Sequence, residues 1–555
     1  MGYVNQKAKG FREEAHLNFM AGLSYDISNP INKLKLAASS CFFGEPMYYH
    51  RDEEDKRPSR QANPDALDNA EVKYLRKILN ALDPIEWRSL TPASLMEKCI
   101  DEAIEFNLEE TLKVAVSLRQ DDFIRTTPQV ILVRAANHKS SKGPKASKVA
   151  GQKSLIRVYA EKIIARADEP AVGLAYQISK FGKPVPNSLK KAWAEALQRF
   201  NEYQLAKYRM ENHVVKTVDV ANISHPKAEA VSKLMKGELT VTGKTWEAII
   251  SADGSNTNSW TKAVDVMGHM ALLRNLRNLI ENGVGIELFK QKLLDGAIDG
   301  KQLPFRYYSA YKAVEHIAPP SLQDAIEDCL TMSLGNLPHF DGKVMSLCDN
   351  SGSAKRTTTS KMGTMQIATI GNLTGIITGK VADEGYVGIF GDRLETFAVR
   401  KNSSIFEQLK KSDSLGDDVG GGTENGIWLF WDKAIKEKQH WDHVFVYSDM
   451  QAGHGGLYGV DQKAYKDFLY PGSSNGIDVP KLISTYRSKV NRNVMIYLVQ
   501  IAGYQDTIVP EFYDKTFIFG GWGDGLLRFA AEMCHLNMAG ASDDARKLVE
   551  NAQQS

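Results

Sequence analysis

No stretch of this 555-residue chain approaches the roughly 18 uninterrupted apolar residues that a membrane-spanning helix needs, so no membrane span is expected. The first fourteen residues carry Lys7, Lys9 and Arg12 with no apolar block behind them, which is not the make-up of a secretory signal. Cysteine is scarce. Cys41, Cys99, Cys329, Cys348 and Cys534 are scattered, odd in number and without metal-ligand spacing. That argues against a zinc module and fits a reducing cytoplasm, with each thiol a small buried apolar residue. Catalytic signatures are missing too. The turn Gly420-Gly421-Gly422 has no Gly-Lys-Ser/Thr of a phosphate loop. Asp349-Asn350-Ser351 lacks the second Asp of an aspartyl-phosphate enzyme. A two-metal nuclease needs several clustered carboxylates, and only Asp349 and Asp449 offer themselves. The chain is therefore expected to bind rather than to catalyse.

Net charge is nearly absent as well, at +2, but the balance is uneven. Residues 134–245 hold 21 Lys plus Arg against 9 Asp plus Glu, an excess of 12, which leaves the remainder near −10. A neutral average with one strongly basic segment points to a local polyanion site. A solvated lysine-rich surface is the bland alternative.

Up to about residue 335 the chain reads as helix after helix. Apolar residues recur at three- and four-residue spacing over 67–82, 95–106, 111–118, 130–136, 155–165, 189–200, 228–235, 263–280 and 286–294. Pro, Gly, Asn and Asp punctuate the gaps. Many short amphipathic helices with short turns predict paired helices stacked as a solenoid, although no exact internal repeat is visible. The segment 50–63 is charged and expected on the surface. After about residue 337 strands alternate with helices. Strands are expected over 344–348, 386–390, 444–447, 494–499 and 516–519. Helices are expected over 362–378, 405–411, 427–436, 464–468, 479–489 and 525–534. That alternation predicts a parallel-type sheet wrapped by helices, with its ligand site beyond the strand carboxyl ends. The expected division is an all-α unit, 1–337, and an α/β unit, 338–555.

The most pointed motif lies at the first of these strand ends. Val344-Met345-Ser346-Leu347-Cys348 stops at Asp349-Asn350-Ser351-Gly352-Ser353. Oxygens at i, i+2 and i+4 of a tight loop can face one small hard cation, and Gly352 lets the loop fold back. Carboxylate and hydroxyl oxygens suit Mg²⁺, or Mn²⁺, rather than zinc. An Asx-turn that merely ends a strand is the competing reading. The pattern Asp-x-Ser-x-Ser resembles the metal-ion-dependent adhesion site of von Willebrand factor A domains. That resemblance implies two further ligands downstream, which Thr423 after the glycine turn and Asp449 after the run His443–Tyr447 supply in matching order.

Cys41-Phe42-Phe43-Gly44-Glu45-Pro46-Met47-Tyr48-Tyr49, Ser224-His225-Pro226-Lys227, the Arg274-Asn275-Leu276-Arg277-Asn278 helix and the turn Leu303-Pro304-Phe305-Arg306 follow one another in the first half. In that order they resemble elements of the TROVE domain, the module of the Ro autoantigen and its bacterial relatives. The resemblance implies a ring of HEAT-like helical repeats, monomeric and cytoplasmic, closed by a doubly wound von Willebrand A domain. It implies a ribonucleoprotein role in RNA quality control. Small noncoding Y RNAs would lie on the outer surface, and single-stranded 3′ ends of misfolded or structured RNA in the hole. It also implies an adaptor role toward an exoribonuclease such as polynucleotide phosphorylase.

Carried to this chain, the outer RNA surface falls on Lys207, Arg209 and His225; the basic segment itself adds Lys190, Lys191, Arg199 and Lys227, and Arg274 and Arg277 are the candidates for the hole lining. Lys and Arg supply phosphate contacts there. Tyr203 and Tyr208 are expected in the core. A pair of structural salt bridges is the alternative for Arg274 and Arg277, which share a helix face. The alternative for the whole protein is a metal-dependent adhesion scaffold with no RNA recognition of its own, which would have no need of the basic segment.

Overall fold

The computed structural model describes residues 12–17, 23–27, 29–40, 92–141, 153–239, 245–302, 304–360, 363–422, 426–448, 455–456, 467–469, 476–477, 479–501, 511–513, 516–520, 527–528 and 530–531. The expected helix 67–82 and the surface segment 50–63 lie outside the described residues, and so does the Cys41–Tyr49 element.

Sixteen helices are described before residue 335. They are α1 (Pro30–Ser40), α2 (Pro92–Phe106), α3 (Leu108–Gln120), α4 (Thr126–Asn137), α5 (Leu155–Ile163), α6 (Glu169–Lys180), α7 (Asn187–Leu197) and α8 (Glu202–Lys207). Then follow α9 (Thr217–Ser224), α10 (Glu229–Lys236), α11 (Trp246–Asp253), α12 (Thr257–Val266), α13 (His269–Glu281), α14 (Lys290–Asp295), α15 (Pro304–Val314) and α16 (Pro320–Ser333). Local chemistry sets their ends. Asn107 accepts from the Glu110 N–H at 3.1 Å to start α3. Asn201 and Gln204 form a reciprocal capping box on α8. Gly237, at φ +73°, ends α10 in the left-handed region that a Cβ disfavours. Packing follows a stacked order: α3 on α5, α5 on α7, α7 on α9, α4 on α6, α13 on α15 and α14 on α16. Helices that meet the next but one, beside neighbouring pairs such as α3 with α4 and α15 with α16, form the two-layered arrangement of a helical solenoid.

The array closes on itself. The turn after α3 brings Phe123 under the Lys301 ammonium, 5.9 Å from the ring centroid. Lys301 also donates to Asn336 Oδ1 at 2.6 Å. Arg528 stands 3.4 Å from Asp122 and donates to the Asn336 carbonyl at 2.7 Å. Early helices, late helices and the α/β unit thus meet at one clasp.

The α/β unit is built on a nine-stranded sheet in the order β1-β2-β12-β13-β11-β8-β3-β6-β7. Its strands are β1 (Arg12–Leu17), β2 (Leu23–Ile27), β3 (Phe340–Asp349), β6 (Ala382–Phe390), β7 (Leu394–Ala398), β8 (His443–Ser448), β11 (Met495–Gln500), β12 (Glu511–Tyr513) and β13 (Thr516–Gly520). Two small ladders, β4 (Thr357–Ser360) with β5 (Gly363–Gln366) and β9 (Gly455–Gly456) with β10 (Gly476–Ile477), stand apart. The five strands β13, β11, β8, β3 and β6 run parallel. Alternate residues of β3 enter two different cores. Val344 and Cys348 pack on one face, with α17 (Ile367–Lys380) and α18 (Ile405–Asp418). Met345 and Leu347 pack on the other, with α19 (Gly426–Lys436) and α20 (Val479–Lys489). Both faces are covered, so these strands read as near-continuous apolar runs.

Three helix expectations need correction, and sheet and core both run across the expected division at 337/338. The predicted helix 263–280 is two helices, because Met267 turns extended and Gly268 becomes the N-cap of α13. The predicted helix 362–378 begins only at Ile367, since the β-branched run Thr357-Thr358-Thr359 pairs with β5 as a hairpin instead. Residues 286–294 form a 3₁₀ turn followed by the short α14. The boundary at 337/338 separates neither sheet nor core. Strand β2 pairs antiparallel with β12, so the first residues complete the late sheet. One apolar core runs from Trp260 through Phe305, Tyr311 and Leu330 into Val344, Ile376 and Tyr497. A second, separate core fills the helices from Leu34 to Leu239.

Candidate metal centre and nucleic-acid interface

After β3 the chain places β6 on one side, and later β8 on the other. Strand order therefore reverses at β3, and the crevice beyond the carboxyl ends of β3 and β8 is where such sheets bind ligands. Asp349 ends β3 there, opposite the end of β8. Its carboxylate is buried; Oδ1 accepts from the Ser351 N–H at 2.9 Å and Oδ2 from the Ser448 hydroxyl at 2.6 Å. Ser351 Oγ and Ser353 Oγ lie 3.2 Å apart. An octahedral Mg²⁺ shell sets neighbouring oxygens about 2.9 Å apart, so the hydroxyl pair is nearly at coordination spacing. The donor set is all oxygen, which fits a hard cation and not zinc.

The glycine turn approaches as the sequence requires. The Gly352 N–H donates to the Gly421 carbonyl at 2.9 Å, two residues before Thr423. Gly420 takes φ +89° against Asp392, where a side chain would be strained. Thr423 and Asp449 themselves lie outside the described residues. The structure thus brings Asp349, Ser351 and Ser353 together and adds Ser448, which the sequence placed at a strand end but not in the site.

A buried amide chain supports the loop. The Asn350 N–H donates to the Phe390 carbonyl at 2.8 Å. The Asn350 and Asn372 amides hydrogen-bond reciprocally, at 2.9 and 3.1 Å. Asn372 also donates to Asp413 Oδ1 of α18 at 3.1 Å. Burial raises the Asp413 carboxyl above its usual range, and the Asn372 hydrogen bond partly offsets this. Nothing in sequence marks these three residues, because Asn350 occupies the variable position of the motif and the other two lie far along the chain.

The candidate RNA residues fall on two separate surfaces. Lys190 and Lys191 sit on α7, half-buried and exposed respectively. Exposed Lys207 reaches over Tyr203 and Tyr208, 5.8 and 5.7 Å from their centroids. Tyr203 is 41 % exposed, contrary to the expected core position, since six-residue α8 buries Leu205 and Ala206 on its other side. Tyr208 is half-buried, with the Arg166 guanidinium 4.4 Å over its ring. His225 is exposed at φ +52°, capping the end of α9. The Lys227 N–H donates to Gln198 Oε1 at 2.9 Å, which ties this turn to the end of α7 and leaves the ammonium exposed.

Two arginines of the set are held by the protein. Arg199 donates to the carbonyls of Glu161 and Ile164, at 2.7 and 2.8 Å, and so caps α5. Arg209 donates to the Leu239 carbonyl at 3.2 Å and pairs with Glu211 at 3.2 Å. On the second surface, α13 buries Leu272, Leu273, Asn275, Leu276 and Leu279 and exposes Arg274 and Arg277. Among the described residues neither guanidinium has a hydrogen-bond or ion-pair partner, so the salt-bridge alternative finds no support. Pro304-Phe305-Arg306, expected as a turn, opens α15 instead.

No helix among the described residues is long and apolar enough to cross a membrane. No curated protein matches the chain. The crystal structure of the Deinococcus radiodurans RO (RSR) protein is similar in fold, with a TM-score of 0.55 and 13% identity over 78% of this chain and 92% of that one. The family model for the TROVE domain matches residues 233–327, which span α10 to α16 and include the exposed arginine face of α13. That match lies within a closed helical array similar in fold to the RO protein, so the chain carries a segment that matches the TROVE domain in a Ro-like fold.

Proposed function

We propose that this protein binds RNA on two surfaces and serves as a non-enzymatic adaptor. The α13 face takes the single-stranded 3′ end of a structured or misfolded RNA. The α7–α10 face takes a folded, Y-like noncoding RNA. The observation that carries the reading is the pair Arg274 and Arg277, which project from the TROVE-matched segment with no partner of their own among the described residues. Unpaired guanidiniums on a closed array suit the phosphate backbone of a single strand. Exposed Tyr203 beside Lys207 adds a stacking surface to the other face.

The α/β unit is proposed to act in the manner of a von Willebrand A domain. Asp349, Ser351 and Ser353 would hold Mg²⁺, or Mn²⁺, with Thr423 and Asp449 as the further ligands. A cation so bound supplies a Lewis-acidic position that a partner's carboxylate can fill. An exoribonuclease such as polynucleotide phosphorylase is the proposed partner, and a monomeric ring in the cytoplasm the proposed setting.

Fluorescence anisotropy tests the RNA reading, with a duplex carrying a 3′ single-stranded tail and with a tailless stem-loop. Joint replacement of Arg274 and Arg277 by Ala should weaken only the tailed RNA. Absence of binding to either RNA by the wild type leaves the metal-dependent adhesion scaffold as the better account. Calorimetry tests the cation, since Asp349→Ala should abolish Mg²⁺ binding while the helical array stays folded.

A further inference from the structure

Helix α18 touches both halves of the molecule. At its N-terminus, Glu327 of α16 reaches out of the helical array. Glu327 Oε2 accepts the Ser404 hydroxyl at 2.8 Å, and Oε1 accepts the N–H groups of Ile405 and, at 3.3 Å, Phe406. A carboxylate on the free N–H groups of a helix start is the favourable arrangement for both charge and hydrogen bonding. Beside it, Phe406 stacks on Tyr311 of α15 at 4.3 Å and lies 5.8 Å from Tyr308.

Toward its C-terminus the same helix meets the Asp349 loop twice. Asp413 holds Asn372, which holds Asn350, the residue after Asp349. Gly416 lies so close to Asn350 Oδ1 that a Cβ there would collide with it. The helix then runs through Val419 into Gly420 and Gly421, whose carbonyl takes the Gly352 N–H. Asp349, Ser351 and Ser353 therefore sit on a loop braced from behind and in front by one rigid helix. That helix is seated on the array by the Glu327 carboxylate, the aromatic stack and the shared apolar core.

We infer that α18 couples cation affinity at the Asp349 loop to the seating of α16 and α15 on the α/β unit, with Glu327 as a positioning residue remote from the cation. The inference rests on the cation reading above. Loss of the Glu327 cap loosens the start of α18 and lets the amide chain and the glycine turn drift from the geometry that the cation requires. Coupling is reciprocal: a bound cation tightens the array on the α/β unit by the same factor.

The test is a calorimetric Mg²⁺ titration of the full chain in wild type, Glu327→Ala, Glu327→Gln, Asn372→Ala and the double variant Glu327→Ala/Asn372→Ala. Melting is followed in parallel in chelator. Glu327→Ala should weaken Mg²⁺ by about 5-fold or more, and Glu327→Gln, which keeps one acceptor, by less. With the amide chain already cut by Asn372→Ala, the further loss from Glu327→Ala should shrink to what the glycine turn still transmits, whereas mere destabilisation would add in full. Glu287→Ala, which removes the exposed partner of Lys290 on the surface of the array, is the control and should leave the affinity unchanged. No Asp349-dependent Mg²⁺ binding in the wild type overturns the cation reading, and the coupling with it. Normal wild-type binding with an unchanged constant in both Glu327 variants overturns the coupling alone. If Glu327→Ala fails to fold, Glu327→Gln decides.

Discussion

The two halves of the helical array are alike in secondary structure and unlike in almost everything else. Helices α1 to α10 enclose a core of their own, from Leu34 to Leu239, and carry most of the basic excess. Helices α12 to α16 have no such private core; their apolar side chains continue without a break into the sheet. The TROVE match falls almost wholly on this second group. The first half is thus a self-contained body with a charged exterior, and the second is the wall of the α/β unit. Texture along the chain separates helix from strand near residue 337, but the cores separate the molecule near residue 240.

The strongest way to break this comparison is to hollow each core in turn. Trp193→Ala in the first core and Leu330→Ala in the second each remove a fully buried side chain, at a cost of about 3–5 and 2–5 kcal/mol. Scanning calorimetry should show an early, separate transition for Trp193→Ala, with Asp349-dependent Mg²⁺ binding retained. Leu330→Ala should instead lower one transition in which helices and sheet melt together. Matching profiles would mean that the cores unfold as one.

Acid should act on the second half first. His443, at the start of β8, lies between Phe340 and Tyr497, and burial pushes its imidazole down to about 4, against 6.5 when exposed. Between those values the unfolded chain takes up a proton that the folded chain refuses, so stability is full above about pH 6.5 and falls as pH drops toward 4. At 1.36 kcal/mol per pH unit the loss is at most roughly 3 kcal/mol. Denaturant midpoints across this range should slope downward on acidification in wild type and flatten in His443→Gln.

Sequence reached the helices and the parallel strands because both are written locally, as a repeat of three to four residues and as short apolar runs. It placed Asp349, Ser351 and Ser353 on one loop at a strand end because a five-residue loop is equally local. It missed the continuity of core from Trp260 to Tyr497, since which apolar face meets which is decided only in three dimensions. Asn372, Asp413 and Glu327 stayed invisible for the same reason: each matters through a residue tens of positions away. Tyr203 was misplaced because an aromatic is assumed buried, and α8 is too short to bury it.

Smaller effects sharpen the contrast between the two RNA faces. Joint replacement of Arg274 and Arg277 by Ala should cost a tailed duplex roughly 1–3 kcal/mol, on the scale of lost charged contacts. The melting temperature should not move. Neutralising Lys190, Lys191 and Lys227 with Gln should do less at any one salt concentration. It should lower the salt-dependence slope for a Y-like stem-loop by just under one for each lost phosphate contact. Equal losses on both RNAs for either variant would merge the two faces into one.

Strand β2 pairs with β12, Asp26 opposite Glu511 and Tyr25 opposite Phe512. A ribosome working at about 5–20 residues per second delivers β12 tens of seconds or more after β2. Throughout that interval an open strand edge waits while the helices fold beside it, and such edges invite pairing with other chains. The late strands must then find the early hairpin across a completed array, a closure of very long contact order that slows the last step. The sheet is therefore complete only once β12 meets the early hairpin, and a nascent chain stalled before residue 511 keeps that hairpin without its native partner.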